Sequence, residues 1–499
     1  MTTSRPHKLP GALSKLWALC GVWALTLIAL AICLADPISI QGLRLAQFDQ
    51  FQRWAPRPYS PVPVRIVDID EASLKAYGQW PWPRTRIAEL VEQLNRAGAV
   101  AIAFDVLMGE PDRNAPATMA QLWNDPQASA VLAHLPDPDQ ALAAKLKHSP
   151  VVLGSSLART GAMAASTTPS IAPTQLPYRM VSSGDSGALA WLRGFDTAVW
   201  PLPVLMADAR GVGALNAAPD SDGVVRRVPL MLRLGSTTLV PSLSAEALRV
   251  AQGTQNYLLR GQAAGVQDVR IGGVTVPTNA QGEIWLHYTD NQPGRFVSAA
   301  QVLSGVVPAD QLHGHIVLVG SSAAGLMDVR SNPMGQQMPG VQAHAMALEQ
   351  MLLGQYLQRP SWAAGLEAVV LLVGTLLLGM LGLAVSARWA AVALLAALVA
   401  TWGGAWYAFV VEHVLIDASN PTWAMVLVFG LASGVHHWVS ERQQRWLRTA
   451  FSRYVSPNRV DHLVAHPEQL HLGGKRQVCS FVFTDLLGFT PMLEASEPA

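Results

Sequence analysis

The alternation of apolar and polar positions divides the chain into two kinds of segment. Four runs are apolar all round and long enough to cross a bilayer, which takes about 20 residues at 1.5 Å rise each. They lie at 16–35, 366–387, 389–411 and 421–439. The first run is longer than the apolar core of a signal peptide, so it is expected to be an uncleaved anchor, although Cys33 and Ala35 precede Asp36 as a cleavage site would require. Between the first and second runs the pattern is that of an α/β domain. "VPVRIVDID" (62–70), "AVAIAFDV" (99–106), "PVVLGSS" (150–156) and "HIVLVGSS" (315–322) read as buried strands. "RTRIAELVEQLNRAG" (84–98) has helical spacing at Ile87, Leu90, Val91 and Leu94. Strand, helix and strand in that order predict a parallel sheet. The Ala, Ser, Thr and Pro-rich stretch 157–177 has no period and is expected to be a surface loop.

Charge orients these elements. Arg5, Lys8 and Lys15 precede the first run, Arg388 separates the second from the third, and Arg442, Arg445, Arg448 and Arg453 follow the fourth. The loop between the third and fourth carries Glu412 and Asp417 and no Lys or Arg. Positive residues stay inside. This places 1–15 in the cytoplasm, 36–362 outside and 440–499 inside. Half of the 499 residues are hydrophobic and 14% are charged, as in a membrane protein. Lys+Arg 35 against Asp+Glu 34 leaves no basic excess, which argues against a nucleic-acid partner. Three cysteines, two of them in the first apolar run, make no disulfide framework.

Candidate chemistry in the outer segment competes with plain structural readings. The run Trp80 to Arg84 is a possible stacking platform, but a rigid turn whose indoles cap the core is the stronger reading. "DSDG" (220–223) opens like a calcium loop and lacks the closing Glu, so a β-turn is expected. Asp68, Asp70 and Asp105 fall at or near strand C-termini, where α/β sheets place ligands. Capping and turn formation account for them equally well. His344, near the start of an apolar helix, is expected to pack or cap rather than bind metal, and His436 and His437 to lie at the membrane edge.

Five pieces of the outer segment, in order, are similar to the CHASE2 extracellular sensor domain of bacterial receptors. They are "IVDIDEASLKAYGQWPWPR" (66–84), "FDVLMGEPD" (104–112), "PDSDGVVRRVP" (219–229), "IVLVGSSAAGLMD" (316–328) and "MPGVQAHAMALEQMLLGQYLQRP" (338–360). The resemblance implies an extracytoplasmic sensor with an unknown ligand, set in the cytoplasmic (inner) membrane.

Past the fourth run, Leu447, Phe451 and Tyr454 keep an apolar stripe among arginines, which suits a coupling helix that pairs in a homodimer or lies on the lipid headgroups. In "VCSFVFTDLLGFT" (478–490) an apolar strand is expected to end at Asp485, with a helix starting at Gly488, Phe489 and Thr490. A carboxylate at a strand end can hold Mg²⁺ while helix-start amides face a polyphosphate. "FSRYVSP", "LHLGGKRQV" and "FVFTDLLGFTPMLE" resemble the entry to class III adenylate and guanylate cyclases, with Leu486 in place of the usual Ile. By that resemblance Asp485 and the carbonyl of Leu486 bind Mg²⁺ or Mn²⁺, and Gly488, Phe489 and Thr490 hold the triphosphate of ATP. Two ions would then activate the ribose 3′-hydroxyl and neutralise the leaving pyrophosphate. The resemblance runs only from Phe451 to Glu494 and lacks the second metal-binding Asp. The chain by itself is therefore expected to be inactive, with a truncated gene as the suspected cause.

The fold class expected is a membrane protein: a CHASE2-like α/β sensor at 36–362, four transmembrane helices, a coupling segment at 440–473 and a fragment of an α+β class III cyclase domain at 474–499. The function expected is a receptor that couples an external signal to cyclic AMP synthesis. A non-catalytic sensor acting through partners and a sensor histidine kinase are the alternatives.

Overall fold

A computed structural model describes residues 11–123, 125–159, 176–323, 326, 328–451, 478, 480–484, 487, 490 and 491. The chain separates into two compact units, Met1–Ala432 and Ser433–Ala499.

The first unit begins with a membrane-length helix, α1 (Gly11–Ala35), followed after a bend by α2 (Ile38–Trp54). Asp36 makes the bend with φ 44°, a left-handed value uncommon outside glycine. The sensor then builds β1 (Val64–Asp68), α3 (Glu71–Tyr77), α4 (Arg84–Arg96), β2 (Ala101–Leu107), α5 (Pro138–Leu146) and β3 (Val151–Ala158). It continues with β4 (Thr197–Val199), β5 (Gly211–Ala214), β6 (Val225–Pro229), α6 (Leu243–Ala251), β7 (Glu283–Trp285), β8 (Phe296–Ser298), β9 (Ile316–Gly320) and α7 (Gly340–Leu353). Three further helices follow, α8 (Ala363–Ala384), α9 (Ala387–Val410) and α10 (Ser419–Phe451).

The central sheet has the order β8-β1-β9-β2-β3-β4, with β5 also on β3. All its pairings are parallel except β3 with β4. The expected parallel sheet is present, but β1 and β2 are not neighbours: the late strand β9 inserts between them and pairs with both. β9 (IVLVG) is apolar on both faces, which suits a strand covered by helices on both sides. Its residues alternate as a period of two requires. Val317 and Val319 join Val67, Ile102 and Phe104 under α4 and α5, against Ile87, Leu90, Val91, Leu94 and Leu142. Ile316 and Leu318 join Ile66, Ala101 and Ala103 under α6 and α7, against Leu248, Val341, Met346 and Leu348. The result is a three-layer sandwich.

Four helices are long and apolar enough to cross a membrane: Trp17–Ala35, Ala363–Ala384, Ala387–Val410 and Ser419–Arg442. They match the four apolar runs within a few residues at each end. α1, α8 and α10 meet where Val22, Leu376 and Val428 pack together. A side chain at Gly379 would clash with Val22 at 2.5 Å, so the small residue sets the approach of two helices. Past 439, α10 runs unbroken to Phe451, so the first part of the expected coupling segment is helical, in keeping with a helix that leaves the membrane. Arg442 and Arg445 are good helix formers and give it no reason to break.

Among the described residues of the C-terminal unit, Val478 and Ser480–Thr484 are exposed and form no strand, contrary to the reading of "VCSFVF". A lone strand has no ladder partner for its N–H and C=O groups, and an apolar pattern alone does not supply one. Thr490 and Pro491 carry helical backbone. Asp485, Leu486, Gly488 and Phe489 lie outside the described residues, as does most of the loop at 157–177 and Tyr454.

Candidate functional site

Two places in the first unit bring polar side chains together where chemistry or signalling could occur. They are the C-terminal edge of the sheet and the level at which the sensor meets the membrane helices.

At the sheet edge the aspartates tie the ends of neighbouring strands together and cap a helix. The Asp68 carboxylate accepts from Ser322 N (2.8 Å) and Ser322 Oγ (2.5 Å), while Ser321 Oγ donates to the carbonyl of Ile69 (3.0 Å). Asp70 caps α3, accepting from Ser73 N (2.8 Å) and Ser73 Oγ (2.6 Å), and also from Ser298 Oγ (3.0 Å). Burial raises the pKa of Asp68, and the Asp70 charge adds to the rise against the Ser322 hydrogen bonds. Asp105 differs: burial pushes its carboxyl up to about 7, with the Asp328 charge adding and Arg330 opposing. His344 is buried on α7, its Nδ1 has no hydrogen-bond partner, and burial takes its pKa down to about 4. Neutral packing was the expectation for His344. Among the described residues no group of three or more His, Cys, Asp or Glu side chains could hold a metal ion.

The turn at 219–229 is likewise not a calcium loop. Asp220 closes it by accepting from Gly223 N (2.9 Å), and Gly223 takes φ +80°. The carboxylates of Asp220 and Asp222 instead surround Arg226. Trp82 is buried in the core, donates Nε1–H to the carbonyl of Gly78 (2.9 Å) and meets Trp80 edge-on, as a rigid turn would have it.

The second place is a joint built around α2. Sequence periodicity gives this helix no amphipathic stripe, because it is buried on opposite sides by different partners. On the sensor side Arg226, itself 1% exposed, uses all of its donors. Nε and Nη2 bind Asp49 of α2 (2.6 and 2.8 Å), Nη1 binds Asp220 (2.9 Å) and Asp222 (3.0 Å), and Nη2 also binds Asp222 (2.7 Å). Burial alone would lower the Arg226 pKa, but these carboxylates more than reverse it. Such bidentate, charge-assisted bonds fix orientation as well as distance. Gln52 donates to the carbonyl of Leu286 (2.9 Å) and accepts from Tyr288 N (3.0 Å). Arg53 donates to the carbonyl of Pro333 (2.8 Å).

On the membrane side, Phe51 packs against Trp406 (5.2 Å), Phe409 (5.4 Å) and Trp402 (6.1 Å) of α9, and Phe48 against Trp285 (5.1 Å) of β7. Gln47 holds the loop between α9 and α10: its Nε2 donates to the carbonyl of Ile416 (2.9 Å), and its Oε1 accepts from Ala418 N (2.9 Å) and Ser419 N (3.0 Å). Asp417 in that loop caps α10 through Ser419 N (2.9 Å) and donates its own N–H to Glu367 of α8 (2.7 Å). Glu367 is paired with Arg359 at 2.8 Å. Backbone bridges run Trp285 to Leu357 and Gln358 to Val414, which continues the sensor's hydrogen bonding into the membrane loop. His287 lies against Phe409 (5.4 Å) and His413 (6.0 Å). Burial takes its pKa down to about 4, so it is neutral there.

A cavity of about 40 Å³ lies in this joint, lined in part by Phe48, Phe51, Trp285, Phe409 and Ile416. The span ends Ala363, Val410 and Ser419 border this joint, through Glu367, Phe409 and the Gln47 bond to Ser419. Sequence reading missed α2 and its contacts. The signal was present in "PDSDGVVRRVP", whose acidic pair and Arg226 are now seen to clamp the helix that follows α1.

No curated protein and no solved structure matches the chain. The CHASE2 domain family matches residues 24–383, most of the chain, from within α1 to the end of α8. The protein belongs to the CHASE2 domain family, as a membrane protein whose sensor domain is extracellular.

Proposed function

We propose that the protein is a transmembrane signal receptor in which the sensor acts on the membrane helices through α2, and that in the complete protein the output is cyclic nucleotide synthesis, ATP to cyclic AMP and pyrophosphate. The observation that carries the receptor reading is the double anchoring of α2. Its Asp49 is bound to the sensor through Arg226, and its Gln47 to the loop that opens α10. A shift of the sensor sheet therefore moves α1 and the start of α10 together. This is a two-state element that a ligand can bias by binding one position better.

The output rests on the sequence at 478–490. There Asp485 and the Leu486 carbonyl are proposed to hold Mg²⁺ or Mn²⁺, and Gly488, Phe489 and Thr490 the triphosphate. A homodimer in the inner membrane, with an unidentified extracytoplasmic ligand, completes the proposal.

The test is a protein in which a complete cyclase domain follows this segment. Its membranes are expected to make cyclic AMP from ATP, and Asp485→Asn to lower the rate by on the order of 10³-fold through loss of the metal-binding charge. Retention of more than about a tenth of the rate, under ~1.4 kcal/mol of transition-state stabilisation, overturns the metal assignment. No cyclic nucleotide from the protein carrying the complete cyclase domain overturns the output and leaves the sensor joint to act on a partner.

A further inference from the structure

Directly after α2 the chain passes through a second buried charge cluster whose charges do not balance. Arg57 donates Nη2–H to Glu349 of α7 (2.7 Å) and Nε–H to the carbonyl of His287 (3.2 Å). Arg295, next to β8, donates Nε–H to the same carboxylate (2.7 Å), and its Nη2–H to Thr289 Oγ1 (2.8 Å) and again to Glu349 (3.2 Å). The three charged side chains are 0–2% exposed. Two guanidinium groups thus share one carboxylate, and His287 beside them is neutral. The Nη1 atoms of Arg57 and of Arg295 are both buried without a hydrogen-bond partner. Burial and the Arg295 charge pull the Arg57 pKa down against the pull of Glu349 and Tyr59, and the Arg295 guanidinium also faces the Tyr59 ring at 5.4 Å.

We propose that this cluster binds a small monovalent anion of halide size, taken from the extracytoplasmic medium. One positive charge is in excess, so one negative charge neutralises it, whereas a water molecule would satisfy a donor and leave the charge. A buried charge without a counter-charge is strongly disfavoured, and orphaned guanidinium N–H groups add to that cost. The burial of both guanidinium groups suits a compact, weakly hydrated ion, and a divalent oxyanion would over-neutralise the pair. Arg57 lies between α2 and β1, Arg295 borders the edge strand and Glu349 stands on the central helix. The ion would tie the lever from the membrane to both.

The test is thermal melting of the full chain in detergent, in chloride against gluconate at equal ionic strength and without nucleotide. Chloride is expected to raise Tm saturably, by about 3 °C or more at saturation, and bromide to act like chloride. Crystals grown in bromide should give an anomalous peak in contact with Arg57 Nη1 or Arg295 Nη1. Arg57→Met and Arg295→Met each remove the excess charge and should abolish the chloride response. Equal Tm in chloride and gluconate overturns the proposal, as does an undiminished response in a folded variant or bromide bound only elsewhere. If neither variant folds, the wild-type titration and the bromide position decide.

Discussion

The sheet edge and the α2 joint both bury acidic side chains, but they use them differently. At the edge, Asp70 caps a helix through Ser73, while Asp68 to Ser322 and Asp70 to Ser298 tie the ends of neighbouring strands of one sheet. At the joint, Asp49 and Gln47 of α2 bind Arg226 of a sensor strand and Ala418 of the membrane loop. Contacts within one sheet hold its edge. Contacts from one helix to both the sensor and the membrane loop hold those two in register, so that a change in one can be felt in the other. On the proposed receptor function, the joint is where a rearrangement of the sensor would reach the membrane helices.

Breaking the joint should therefore cost more than trimming the edge. Arg226→Met leaves Asp49 half-buried without its cation and the buried Asp220 with Arg227 only, and the expected loss is about 3–5 kcal/mol, measured by denaturant or thermal melting in detergent. A loss below ~1 kcal/mol would put Arg226 on a par with a surface pair and erase the contrast.

Acid should act through buried imidazoles, and one of the two belongs to the joint. His287 and His344 have folded-state pKa values near 4, below the ordinary 6.5. Their contribution is therefore intact above pH 6.5 and is lost as pH falls toward 4, on the order of 3 kcal/mol for each. Asp105, raised to about 7, works in the other direction: its contribution is full below its ordinary value and is lost as pH rises through 7. His287→Gln is expected to flatten the acid limb of a stability-versus-pH curve. An unchanged acid limb would show that the imidazole is not buried neutral against α9.

The smallest effect sharpens the comparison from the edge side. Asp70→Ala removes a helix cap and should cost about 1 kcal/mol without altering the exchange of joint amides.

Much of the fold was legible in the chain, and the reasons are specific. Ile316–Gly320 and the first four residues of Ala101–Leu107 are apolar on both faces, so they read as buried strands of a parallel sheet, and Ile87, Leu90, Val91 and Leu94 read as one helix face. The four spans follow from length and hydropathy alone. What could not be read was pairing at long range. Nothing local says that β9 enters between β1 and β2, or that Asp49 meets Arg226. α2 escaped because periodicity detects a helix with one dry face, and this one is covered by the sensor on one side and by Trp402 and Trp406 on another. "DSDG" illustrates the converse, since its carboxylates were noticed for a cation and the cation they hold is a guanidinium.

If the sensor acts on the membrane through α2, strain introduced at Asp49 reaches the membrane loop. Hydrogen exchange at residues 413–419, compared between the wild type and Asp49→Asn in detergent, tests it most directly. The substitution touches only the sensor side of α2, through Arg226. If α2 is a rigid link, the amides of Ala418 and Ser419, held by Gln47 on the other side, should exchange faster by about tenfold, equivalent to ~1.4 kcal/mol of lost local stability. Faster exchange confined to 219–229 and to α2, with 413–419 unchanged, would contradict it.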